Sequence, residues 1–414
     1  MAFSIAEMIL LGLLMDWIFR RLRLPGLLGL LLLGVLFGPH VFNLMDQGFI
    51  DASADLRTIA LIVILLRAGF ELSREALNKV GVQALLLSFI PGIMEGSTIA
   101  LLGPRFLPLT HLESAMLGFI IAAVSPAVVV PMMIGFIKRR MGAKKGIPTM
   151  VMAAASLDDV IAIVIFSVLL GFYVGTPGGV LLKVAGIPVS ILAGIGVGLL
   201  IGWLLLKLFD RFNPRATKRT MVVVGVSILL VHLQQLLEGI FPFAALLAVM
   251  ATGFIILEKR EHMAHEISSK LGKIWVFASI MLFTLVGAQV DVSVAWDAGL
   301  AGLGLIVCGL IARSAGVLLS LLKSPLTMPE RLFAVVSYWP KATVQAAIGA
   351  LPLMAMRAAG MDTAPGNVIL AMAVMSIVFT APLGALAIKV VGERVLEPAS
   401  ESNHAALDAL SESR

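Results

Sequence analysis

The sequence predicts an all-α polytopic membrane protein of about 13 transmembrane helices. Three observations predict it. Hydrophobic residues make up 59% of the 414 and charged residues only 14%, where soluble domains have roughly 45–50% and 25%, and the mean hydropathy is +1.03. The apolar residues form unbroken runs close to a membrane thickness. Basic residues gather in every second loop. A soluble enzyme, a nucleic-acid-binding domain and an outer-membrane barrel, whose strands would alternate, are excluded. The net charge of +6 therefore reports topology, and neither a nucleic-acid partner nor a cofactor is expected.

The runs fall at residues 5–19, 25–41, 56–70, 83–103, 114–136, 148–173, 187–208, 220–237, 241–257, 273–290, 296–320, 331–352 and 366–391, several beginning or ending at Pro or Gly. The first lacks a basic leader and a small-residue cleavage site, so it is expected to stay as a membrane helix. One set of loops carries Arg20, Arg21 and Arg23, then Arg74 and Lys79, then Lys138, Arg139, Arg140, Lys144 and Lys145. It continues with Lys207, Arg211, Arg215, Lys218 and Arg219, with Lys259, Arg260, Lys270 and Lys273, and with Lys323 and Arg331. The opposite loops hold only Arg57, Arg105, Lys183 and Arg357. By the positive-inside rule the N-terminus lies outside and the C-terminus in the cytoplasm, with residues 392–414 as a short cytoplasmic tail. The short termini read as those of a bacterial inner-membrane protein. The single cysteine, Cys308, excludes an intramolecular disulfide.

Polar residues inside apolar spans are costly and mark function by default. The fourth run holds Glu95, the fifth Ser125, Pro126 and Pro131, the sixth Asp158 and Asp159, the eleventh Arg313, and the twelfth Pro340, Lys341, Thr343 and Gln345. Runs four and five stand seven places before runs eleven and twelve, an odd offset that reverses direction in the membrane. Runs 1–6 and 8–13 thus read as inverted repeats, with 187–208 as connector. In that arrangement the prolines interrupt paired helices whose free N–H and C=O groups meet near the midplane. The plainer alternative is that they merely kink ordinary helices. Gly194, Gly198 and Gly202 in the connector, and Gly34 with Gly38, form small-residue stripes expected to serve internal packing.

Neighbours on a helix are ~100° apart, so Asp158 and Asp159 cannot face one partner equally. One can point into a cavity while the other meets a neighbouring helix. Burial and mutual repulsion both oppose ionisation, so such a carboxylate takes either a proton or a cation, the minimum an antiporter needs. The structural alternative is a carboxylate held by Ser156, water or a basic residue. Asp158, Asp159, Ser125 and the carbonyls released at Pro126 offer the hard oxygens a monovalent cation prefers, whereas no His/Cys spacing suits zinc or iron. Arg313 is permanently charged and needs a counter-charge, with Glu95 and Asp158 as candidates. Lys341 at the second break either compensates a half-helix carbonyl end or carries a proton itself. The stretch Glu258-Lys259-Arg260-Glu261-His262, with His265 and Glu266, reads as a solvated cytoplasmic loop, with pH sensing through its histidines as the alternative.

The segments Ala123-Val-Ser-Pro-Ala-Val-Val-Val-Pro131, Lys145-Gly-Ile-Pro-Thr-Met-Val-Met-Ala-Ala-Ala-Ser-Leu-Asp-Asp-Val160 and Pro340-Lys-Ala-Thr-Val-Gln-Ala-Ala-Ile-Gly349 resemble those of the NHA subfamily of sodium/proton antiporters. That subfamily belongs to the monovalent cation/proton antiporter superfamily, with the NhaA and NapA types. The resemblance implies sodium or lithium and protons as substrates, and a homodimer in the lipid membrane. Each protomer would have a dimerisation domain and a core, containing two crossed broken helices at runs five and twelve, that moves in an elevator-like manner. It further implies that Asp159 is the ion- and proton-binding aspartate, with Asp158 as its partner in the pair. It implies a pairing of Glu95 with Arg313, which stands where NhaA-type proteins carry a lysine. Ser125-Pro126 departs from several branches that carry an aspartate at the first break, so its contribution to the site is neutral. A potassium/proton exchanger on the same fold is the nearest rival, disfavoured by the Asp-Asp pair. An intramembrane aspartyl protease needs its aspartates on separate helices, and a passive channel needs a continuous polar path.

Overall fold

A computed structural model describes residues 2–22, 24–71, 74–142, 145–174, 180–237, 241 and 243–397, and all the regular elements among them are helices. They are α1 (Ala2–Arg21), α2 (Gly26–Phe37), α3 (Gln47–Asp51), α4 (Ser53–Glu71), α5 (Arg74–Phe106), α6 (His111–Ala122), α7 (Pro126–Lys138), α8 (Ile147–Val174) and α9 (Val180–Phe212). There follow α10 (Ala216–Leu236), α11 (Ala245–Lys259), α12 (Glu261–Ala288), α13 (Val292–Ser320), α14 (Met328–Ser337), α15 (Thr343–Ile348), α16 (Leu351–Ala358) and α17 (Ala364–Val395). Every apolar run overlaps a helix, and the fifth and twelfth are each divided. Among the described residues seven helices are long and apolar enough to cross a membrane, namely α1, α10, α12, α13, α17 and the greater parts of α5 and α9. Helices suit that solvent because they satisfy their backbone polar groups internally. Of the expected tail 392–414, residues 392–395 extend α17, and 398–414 lie outside the described residues.

One expected loop is helical. α11 ends at Lys259 and α12 starts at Glu261, with Arg260 alone between them. The polar stretch winds into a helix because its other side is apolar: Met263, Ala264, Ile267 and Leu271 are buried. Glu266 pairs with Arg219 at 3.0 Å, and His265 faces Glu261 one turn away at 3.4 Å.

The helices pack as two sets. In one, α5 lies along α13, with α6 and α8 against α5, and α14 and α17 against α13. In the other, α2 packs on α12 and α4 on α11, with α1 beside α2 and α9 along α11. Glycine sets the second group's spacing. A Cβ on Gly34 of α2 would lie 2.0 Å from the Thr284 carbonyl oxygen of α12, and one on Gly69 of α4 would lie 2.3 Å from that of Met250 in α11. The stripe in α9 faces α11 in the same way: Cβ atoms on Gly194 and Gly198 would come within 2.4 and 2.3 Å of the carbonyl oxygens of Ala244 and Ala248. These stripes are internal contacts. Replacing Gly34 by Ala forces two backbones apart and should cost about 1–3 kcal/mol. An unchanged melting temperature of the detergent-solubilised protein would show that the α2–α12 distance is set elsewhere.

Candidate functional site

Two helix interruptions meet inside the first set. α6 begins at a capping box in which Thr110 and Glu113 satisfy each other's backbone N–H groups, and α14 begins at the same device, Thr327 with Glu330. α6 stops at Ala122 and α7 resumes at Pro126; α14 stops at Ser337 and α15 resumes at Thr343. Pro126 opens α7 at the first position, where its missing N–H costs nothing. The breaks are joined directly, since the Ser125 N–H donates to the Pro340 carbonyl at 2.8 Å. Pro131 lies within α7, and its side chain is outside the described residues.

The carbonyl end of α6 is capped by side chains. Gln345 Nε2 donates to the carbonyls of Ile120, Ile121 and Ala123 at 3.0, 3.2 and 2.8 Å. Arg313 Nη1 donates to the carbonyl between them, that of Ala122. Carbonyls expected to await an ion at this break are therefore already engaged. A chain interruption deep in a protein must satisfy its orphaned groups, and a neutral amide with a guanidinium does so here. Gln345→Leu should strand those carbonyls and destabilise the protein by about 1–3 kcal/mol. A melting temperature equal to wild type would remove that role.

Four ionisable side chains form one buried network. Arg313 Nη2 donates to Asp158 Oδ2 at 2.7 Å, and Nη1 to Glu95 Oε2 at 2.8 Å. Lys341 Nζ reaches the same Glu95 oxygen at 2.7 Å, and the Val124 N–H donates to Asp158 Oδ2 at 2.8 Å. Glu95, Arg313 and Lys341 are fully buried and Asp158 is 1% exposed. Two carboxylates thus balance two cations, the condition under which buried charge is tolerated. Both candidate counter-charges for Arg313 are engaged together. Lys341 is held by a carboxylate rather than by the end of a half-helix, while its own N–H donates to Thr380 Oγ1 at 3.0 Å. The side chain of Ser156, a possible holder of the aspartates, lies outside the described residues.

Asp159 occupies different ground. It lines a cavity of about 700 Å³ that runs between the two helix sets. Pro126, Val128 and Met132 of α7, Thr343 of α15 and Lys389 of α17 form one wall; Asp16 and Arg20 of α1, Arg67 of α4 and Trp275 of α12 belong to the other. The neighbouring aspartates therefore point to separate environments, a network and a vestibule. Ser125 is fully buried and does not line the cavity. Ser125 Oγ and Thr343 Oγ1 make no hydrogen bond to another described residue. Among the described residues no group of three or more His, Cys, Asp or Glu side chains is placed to hold a metal ion.

A sequence model of the family described as "Sodium/hydrogen exchanger, transmembrane" matches residues 8–394. The chain belongs to the sodium/hydrogen exchanger family. This exchanger is 33% identical over 386 residues to "Sodium/hydrogen exchanger 9B2" of Homo sapiens, a match covering 92% of this chain and 71% of that one. It is 30% identical over 393 residues to "Sodium/hydrogen exchanger 9B1" of Homo sapiens, covering 90% and 73%. Its fold matches the solved structure of the sodium proton antiporter MjNhaP1 from Methanocaldococcus jannaschii with a TM-score of 0.82 and 22% identity, covering 94% of this chain and 97% of the other. The exchanger is thus a multi-pass membrane protein of a transporter family, not an enzyme.

Sequence reasoning missed Tyr338 and Thr380 at this site, and the paired capping boxes that open its two interrupted helices. The boxes carried a signal. Thr110-His-Leu-Glu113 and Thr327-Met-Pro-Glu330 stand at the same distance before Ser125 and Ala342, the residues that precede the two resumed helices.

Proposed function

We propose that this exchanger trades sodium, or lithium, for protons across the membrane, with Asp159 as the group that takes either. The observation that carries the reading is the placement of Asp159 on the cavity wall while Asp158 is tied to Arg313 and Val124. A charged carboxylate is costly in a low-dielectric interior, and a sodium ion or proton bound at the cavity wall neutralises it. Because one group accepts both, each displaces the other, and only the loaded forms cross. Thr343 Oγ1, on the cavity wall, and Ser125 Oγ, buried at the first break, are hydroxyl oxygens of the kind a dehydrating sodium ion needs.

In this reading the N-terminus is outside and the C-terminus cytoplasmic, the chain crosses the cell membrane thirteen times, and the cavity with Arg20 and Lys389 on its wall opens inward. Inverted repeats of runs 1–6 and 8–13 are supported by the recurrence of packing seven runs apart: α5 with α6 and α8 as α13 with α14 and α17, and α2 with α12 as α11 with α4. The two helix sets flanking the cavity support an elevator-like shift of the network-bearing set against the other. Exposed apolar faces on α1 (Leu10, Leu14, Trp17) and α9 (Leu200, Trp203, Leu204) support burial in lipid and pairing with a second copy. Collapse of a pH gradient in proteoliposomes, with sodium, lithium and potassium added in turn, tests the function. Dequenching by sodium and lithium is expected; dequenching by potassium alone would overturn the substrate, and silence from folded protein the activity.

A further inference from the structure

We propose that Tyr338 is a positioning residue of the exchange site, its ring fixing the Arg313 guanidinium so that it reaches Asp158, Glu95 and the end of α6 at once. The inference rests on the Asp159-centred reading above. Arg313 Cζ stands 5.1 Å from the centre of the Tyr338 ring, and both side chains are fully buried. Arg313 is a long, flexible side chain, and its contacts are gathered at one end: Nη1 and Nη2 donate to three acceptors while Nε bonds to no described residue. Hydrogen bonds at the tip alone leave the plane of the group free to tilt. An aromatic face beneath it removes that freedom, and cation–π attraction is strongest when, as here, water is excluded.

The chemistry assigns the work to the ring. The Tyr338 hydroxyl makes no hydrogen bond to another described residue. Its location explains why the cation–π contact matters. Tyr338 caps α14 at the second break, and the next residue, Trp339, donates from its indole Nε1 to Ser314 Oγ at 3.1 Å, beside Arg313 on α13. The end of α14 is thereby registered against α13 twice, at adjacent residues on each. A displacement of the second break would reach the first through the ring, the guanidinium and the Ala122 carbonyl, and reach α8 through Asp158.

The test uses the full chain. Tyr338→Phe keeps the ring, and its sodium KM and maximal rate in proteoliposomes should stay within twofold of wild type. Tyr338→Leu should lower kcat/KM for sodium about thirtyfold in correctly folded protein, the order of a desolvated cation–π contact. Melting curves of wild type, Tyr338→Leu, Arg313→Met and the double variant read the coupling without requiring activity. The loss of melting temperature caused by Tyr338→Leu should shrink when Arg313 is absent. If Arg313→Met does not fold, Arg313→Lys, which keeps the charge without the planar fork, takes its place. Additive losses, a Phe variant as impaired as the Leu variant, or Leu kinetics equal to wild type would each overturn the proposal. Wild-type protein inert to sodium would instead refute the exchange reading, while the melting cycle would still decide the role of Tyr338.

Discussion

Asp159→Asn should abolish sodium-driven proton movement in proteoliposomes while leaving a folded protein. The amide keeps the size of the side chain and forfeits the charge, so neither a proton nor a sodium ion has a group to neutralise. Because Asp159 lies on the cavity wall and takes no part in the Arg313 hydrogen bonds, the substitution leaves the buried network intact. Melting temperature provides the second readout. A cation that binds only the folded state stabilises it by about 2.7 kcal/mol at a hundred times its dissociation constant. Sodium should therefore raise the melting temperature of the wild type and not that of Asp159→Asn. Asp158→Asn should behave in the opposite sense, lowering the baseline melting temperature because Arg313 and the Val124 N–H lose their carboxylate. Sodium-coupled transport by Asp159→Asn would move the ion site elsewhere.

Arg313→Ala should be the most destabilising single change in the network. It removes the charged donor to Asp158 Oδ2, one of two cations on Glu95, and the cap on the Ala122 carbonyl. Breaking a buried pair from one side costs about 3–5 kcal/mol, because a charge is left without compensation. The geometry says which charge that is. Glu95 retains the Lys341 ammonium in direct contact at 2.7 Å, whereas among the described residues the hydrogen bond left to Asp158 is that from the neutral Val124 N–H. Asp158→Asn introduced into Arg313→Ala should therefore recover more stability than Glu95→Ala does in the same background. A larger recovery from Glu95→Ala would place the stranded charge on the other carboxylate.

Much of this was legible in the sequence, for reasons that can be named. Helix positions follow from long apolar runs, and the site from ionisable residues that a bilayer does not tolerate without cause: Glu95, Asp158, Asp159, Arg313 and Lys341 were all visible that way. Pairing was not. Arg313 had two possible counter-charges on different helices, and only folding brings both to one guanidinium. The role of Gln345 was equally hidden, because its contacts are to carbonyl oxygens and no sequence pattern marks which carbonyls need a donor. Tyr338 escaped because an aromatic residue within an apolar run reads as packing. The segment after Lys259 was misread because charge density was weighed without the buried Met263, Ile267 and Leu271 on its other side.

The glycine contacts between α2 and α12, and between α4 and α11, have a mechanical consequence. Where two backbones touch through Gly34 and Gly69, there is no layer of side chains to rearrange, and so nothing to act as a cushion or a lubricant. Such a junction bends little and slides less. This half of the molecule is thus built as an anvil, which supports the proposal that the other half delivers the stroke.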